Sequence, residues 1–226
     1  MAKLHLDFRL LDVSIELHAL EDHLEIIENH IKQLTELEYS KVDDLIKVNN
    51  WDQDDPDWDF ARQECNHRIE FLFPRIFRGP FIVALYAVFE AAVTDISRLI
   101  QNKQSQPISM NDLKGEFLER SKKYYKNIIR FDLHLNKEWQ RVTILSEIRN
   151  AIAHTNGRMD LLNNGTRTKI YQWENQNMGI FTNYNFLIVD QKFTSETYYA
   201  VRLYLDDLVS RYKEWDTNSA YPSGSI

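Results

Sequence analysis

PFIVALYAVFEAAVTDISRLIQ, from Pro80 to Gln101, is the stretch whose reading decides the fold. Its apolar side chains run nearly all the way round a helix, with Glu90 the conspicuous exception. Such a segment predicts a helix buried on most sides, at the centre of a helical protein. The nearly apolar part, Pro80 to Val93, falls short of the roughly 20 residues that a membrane-spanning helix needs. No membrane association is expected.

On the N-terminal side, Gly79-Pro80 and Pro74 predict breaks, because proline has no N–H to donate and its ring collides with the preceding turn. A separate helix is expected from Trp58 to Phe73. Asn49 to Asp59 (NNWDQDDPDWD) has no apolar period and reads as an acidic linker ending in a helix cap. Before it, from Asp7 to Val48, Leu17, Leu20, Leu24, Ile27, Ile31 and Leu34 recur at steps of three and four. That is the stripe of a long amphipathic helix.

On the C-terminal side, Gln101 to Ser109 is a polar loop and Asn111 to Tyr125 a short helix. Asn136 to His154 predicts a longer helix, with Trp139, Val142, Leu145, Ile148 and Ile152 facing inward. The period then changes: Lys169 to Trp173 and Phe186 to Asp190 predict the strands of a small hairpin. Thr194 to Trp215 returns to helix, with Tyr198, Val201, Leu205, Leu208 and Tyr212 on one face. The expected architecture is mainly α: one helical domain over residues 1–215, a β-hairpin insertion at about 166–190, and a disordered tail over 216–226.

Composition narrows the chemistry. The one cysteine, Cys65, allows no intramolecular disulfide and is expected in the core. The opening MAKLHLDFRLLD carries charges where a secretory signal would be apolar, so a cytoplasmic location is expected. A net charge of −7 argues against tight, non-specific binding of nucleic acid, yet leaves room for a local phosphate site. His18, His23 and His30 do not converge on one helix face. Glu64-x-x-His67 is half of a di-iron signature without its mate. Neither a metal nor any other cofactor is expected.

The segment that points to chemistry is Glu147-Ile-Arg-Asn-Ala-Ile-Ala-His154-Thr-Asn-Gly157. It sets a permanent cation, Arg149, and a titratable imidazole, His154, near the end of one helix. Asn150 adds a donor and an acceptor, and Ala151 and Ala153 leave room. Residues five apart on a helix lie about 140° apart around the axis and roughly 7.5 Å along it. Convergence on one substrate is therefore easier across a two-fold axis than within one chain. The pair suits RNA cleavage by the internal 2′-hydroxyl: histidine moves a proton, and arginine holds the crowded phosphate. Spacing alone is not diagnostic, because Arg62-Gln-Glu-Cys-Asn-His67 repeats it. Arg120, Lys122, Lys123, Lys126 and Arg130, interleaved with Tyr124 and Tyr125, form a candidate RNA-contacting cluster. Within it, Lys122, Lys123, Tyr124 and Lys126 are the expected RNA-binding residues.

RNAIAH, Arg149 to His154, resembles the Arg-polar-x3-His motif of the HEPN superfamily, the higher eukaryote and prokaryote nucleotide-binding domains. Phe77 to Glu90 resembles the buried helix of prokaryotic stand-alone HEPN proteins, where a Glu follows an aliphatic and aromatic run. The resemblance covers most of Phe77 to Tyr212. It implies a bundle of four or five helices that forms a homodimer with its motif helices facing each other. It further implies an endoribonuclease acting as a toxin or in antiviral defence, with an antitoxin or defence-system protein as partner. By position, Arg149 and His154 would be catalytic, with Asn150 assisting and Glu90 orienting a motif residue. HEPN toxins silenced by AMP transfer carry a Tyr two residues after the His, where this chain has Asn156. Two other readings stand beside the ribonuclease. One is a non-catalytic HEPN-like module that binds protein or nucleotide; the other is a metal-dependent helical enzyme.

Overall fold

The computed structural model describes residues 8–220. The chain is mainly α, with a two-stranded antiparallel hairpin before the last helix. Helix α1 spans Phe8–Asn49 and α2 Pro56–His67; a π-helical turn, Arg68–Leu72, leads into α3, Phe73–Gln104. Then follow α4 (Phe117–Asn127), α5 (Lys137–Thr155), α6 (Asn164–Asn175), β1 (Ile180–Asn183), β2 (Phe186–Val189) and α7 (Gln191–Ala220). The described residues form two compact units. One comprises 8–19, Leu85–Ser146 and 197–220; the other comprises Leu20–Ala84 and Glu147–Glu196.

The first unit is built on aromatic rings. Phe89, Trp139 and Tyr204 pack mutually with centroids 5.4 to 6.1 Å apart, all essentially without solvent contact. Each such ring contributes about 1.5–3 kcal/mol by leaving water. Two buried tyrosine hydroxyls are matched to carbonyls: Tyr125 to Val93 at 2.6 Å and Tyr198 to Leu17 at 2.9 Å.

In the second unit α1 presents Leu20, Leu24, Ile27 and Ile31, all buried as their spacing predicted. Arg78 of α3 meets Glu28 of α1 through two hydrogen bonds of 2.8 and 2.6 Å, with both side chains nearly enclosed. Cys65 is buried and free.

Four expectations need correcting. Pro74 and Gly79-Pro80 do not interrupt the helix. Proline in a helix costs roughly 3 kcal/mol, but Phe81, Ile82 and Leu85 directly after it are fully buried, and together they outweigh that cost. Ahead of Pro74 the π turn widens the ladder, with the Phe73 N–H reaching back to Arg68. This gives a proline ring room over the preceding turn.

Second, the apolar segment lies in a helix longer than expected. Within Pro56–Gln104 there is one window apolar enough, by length and composition alone, to span a membrane. Of the apolar side chains in this helix, Phe81, Ile82, Leu85, Phe89, Val93, Ile96 and Ile100 are enclosed by protein.

Third, Lys169 to Trp173 is not a strand but the middle of α6. Asn163 caps that helix by accepting the Thr166 N–H at 2.9 Å, Lys169 pairs with Glu147, and Ile170 is fully buried. Packing overrides the strand preference of Thr, Ile, Tyr and Trp. The hairpin's first strand is instead β1, in the register Ile180↔Val189 to Asn183↔Phe186. Its entry requires Gly179, at φ +78°, where a Cβ would sit 2.2 Å from Asp190 Oδ1.

Fourth, residues 216–220 of the expected tail are helical, and Asp216 holds Lys103 at 2.6 Å. Residues 221–226 lie outside the described residues.

Candidate functional site

The last two turns of α5 belong to the second unit and carry the motif. Ile148 and Ala151 point into the core, which turns Ala153 and His154 to solvent. Arg149 and Asn150 are half-buried, and the Arg149 Nη1 donates to Asn150 Oδ1 at 2.7 Å. His154 is exposed, and among the described residues its ring has no hydrogen-bond partner, so both nitrogens are open to a ligand.

The segment just after the helix is tied down. Asn156 adopts φ 52° and Gly157 φ 75°, the left-handed conformation that Asn and Gly tolerate. A Cβ at Gly157 would press to 3.2 Å on the Leu187 carbonyl, and the Leu187 N–H donates to the Gly157 carbonyl at 2.8 Å. Met159 N donates to Asn185 O at 2.9 Å. Arg158 and the Asn185 amide both bond Asp160, and the Arg158 hydrogen bond holds that carboxyl below its ordinary range. The hairpin tip is therefore clamped to the motif helix's exit.

Arg75 of α3 completes this end. It reaches the Asn156 carbonyl at 3.4 Å and lies over Phe186 and Phe71, 4.0 and 4.8 Å from their ring centroids. Burial lowers its pKa. Beside it, Gly79, Ile152, Gly157 and Leu187 help line a water-sized cleft. Reading the sequence missed Arg75, which fell between the breaks expected at Pro74 and Gly79-Pro80 and whose neighbour lies 81 residues away.

Of the other expected residues, Glu90 is half-buried in the first unit, where Thr94 Oγ1 donates to its backbone carbonyl at 2.7 Å. Lys122, Lys123 and Lys126 are exposed on α4 of that unit, with the Lys122 ammonium 5.4 Å from the Trp139 ring. Tyr124 is a correction. It is fully buried with its hydroxyl on the Ile108 carbonyl at 2.9 Å, and a ring so enclosed cannot stack on a base. Among the described residues no group of three His, Cys, Asp or Glu is placed to hold a metal ion.

Comparison of the chain with protein-family models, curated proteins and solved structures finds no match.

Proposed function

We propose that this chain is a metal-independent endoribonuclease of the HEPN type, with Arg149 and His154 as its catalytic pair. The observation that carries the reading is an open imidazole five residues beyond an arginine whose guanidinium is oriented by its own neighbour, Asn150. His154 takes the proton of a ribose 2′-hydroxyl, O2′ attacks phosphorus, and the P–O5′ bond breaks. A second imidazole or water returns a proton to the 5′ oxygen. The products are a 2′,3′-cyclic phosphate and a free 5′-hydroxyl. Arg149 donates to the phosphoryl oxygens, whose negative charge grows in the transition state. The homodimer belongs to this reading: a two-fold axis along α5 places two Arg/His pairs at one cleft, one imidazole as base and the other as acid. Cytoplasmic toxin or antiviral defence is the matching cellular role, with an antitoxin or defence protein as restraint.

The test is purified protein incubated with mixed RNA in EDTA, beside Arg149→Ala and His154→Ala. Cleavage that leaves cyclic phosphate ends, survives chelation and vanishes in both variants is the expected result. Cleavage unchanged in both variants overturns the assignment. Intact RNA in every lane would instead favour a non-catalytic helical module.

A further inference from the structure

The hairpin tip carries an oddity that the ribonuclease reading does not use. Its two turn residues, Tyr184 and Asn185, have φ of 48° and 64°. A two-residue hairpin loop of this kind favours Asn, Asp or Gly at both positions. Asn185 fits; a bulky tyrosine in the left-handed region is strained. Such strain persists where surrounding structure over-determines it, and it concentrates at ligand sites. Tyr184 is also 63% exposed, so its ring is not there to fill a core.

What holds it is a wall of rings. His67 stands 4.8 Å and Phe71 5.3 Å from Tyr184, both at steep angles to it, and His67 lies 4.8 Å from Phe71. Phe71 is buried and continues into Phe186 and the Arg75 guanidinium. The histidine belongs to the Arg62-x4-His67 pair, and the π turn Arg68–Leu72 begins directly after it. The Asp160 carboxylate at this end is already bonded to Arg158 and Asn185. This aromatic and cationic platform is joined by hydrogen bonds to residues 156–160, immediately beyond His154.

We infer that Tyr184 and His67 form a base-stacking subsite for single-stranded RNA, which holds an unpaired nucleobase beside the scissile phosphate, with Arg75 supplying charge beneath it. The inference rests on the ribonuclease reading for its proximity to the cleaved bond. Stacking tolerates any base, because every base has a π face. The subsite therefore sets the register of cleavage rather than a strict sequence.

The experiment uses full-length His154→Ala, which retains the hairpin, and a fluorescein-labelled 12-nucleotide RNA carrying one 4-thiouridine. Anisotropy gives affinity, and photo-crosslinking with peptide mapping gives the contact. Tyr184→Asn keeps the left-handed turn and removes the ring; it is expected to bind about tenfold more weakly. Tyr184→Trp restores binding, and the parental crosslink maps to Tyr184 or His67. Unchanged melting curves show that the fold is intact. If wild type cuts RNA while Tyr184→Asn and His67→Ala bind it like the parent, the subsite is overturned and the ribonuclease stands. If wild type cuts nothing, yet Tyr184→Asn loses affinity and the crosslink persists, the subsite stands and the ribonuclease reading falls. RNA that binds neither parent nor variants overturns the subsite.

Discussion

Arg62 and His67 on α2 stand five positions apart, as do Arg149 and His154 on α5, yet the two pairs meet different surroundings. Arg62 is committed to Asp43 at 2.6 Å, with the Trp58 ring 5.5 Å away, and His67 is lodged against Phe71 and Tyr184. Arg149 is steered by an amide, and His154 faces solvent on a helix whose inward positions are already filled. A fixed spacing sets only an angle and a rise. Whether an imidazole transfers protons, stacks or merely packs depends on what the tertiary structure leaves on its nitrogens and faces.

The sharpest way to break this contrast is to remove each histidine in turn. His154→Ala should lower single-turnover cleavage by about 10³-fold, the size of a lost proton-transfer group. His67→Ala should change the rate at saturating RNA by no more than about threefold. Equal losses would erase the distinction between the pairs.

Phe71→Ala removes the ring that backs His67, Tyr184 and Arg75. It should cost about 3–5 kcal/mol in denaturant unfolding, as truncating a buried Phe does. A cost below about 1 kcal/mol would mean that the platform is not packed as described.

Arg149→Lys keeps the charge but loses the planar fork, and should forfeit about 10²-fold in rate. Arg62→Lys at its partly exposed ion pair should shift stability by less than about 1 kcal/mol and leave the rate alone. Full activity in Arg149→Lys would make this arginine a mere counter-charge.

The smallest effect concerns pH. The Arg158 hydrogen bond lowers the Asp160 pKa below its ordinary 3.8, so the carboxylate favours the folded state. That stabilisation is present above the unfolded value and is lost as pH falls through the lowered one. Acidification should free the Asn185 side-chain amide, seen as faster exchange by NMR. An amide signal indifferent to acid would mean that Asp160 does not hold the tip.

Much of this was legible in the chain. The stripe from Leu17 to Ile31, the inner face from Trp139 to Ile148 and the face from Tyr198 to Tyr212 all lie buried where their period placed them. Period is readable because a helix repeats its geometry locally. The misreadings were of another kind. Lys169 to Trp173 has strand propensity, but a cap at Asn163 and a buried Ile170 made it helix. Pro74 and Pro80 are local stop signals, met by the π turn ahead of Pro74 and outweighed by the burial of Phe81, Ile82 and Leu85 after Pro80. Tyr124 looked like a surface aromatic among lysines, and the core claimed it.

Sequence alone therefore determined where most of the helices would run, which faces they would bury, and that Arg149, Asn150 and His154 share one helix end. It could do so because those properties depend on neighbours within about one helical turn. Only the tertiary structure decided that the tip of a strained hairpin, a π turn and an arginine 81 residues away would gather at that end. Such contacts join distant segments, and no local period encodes them.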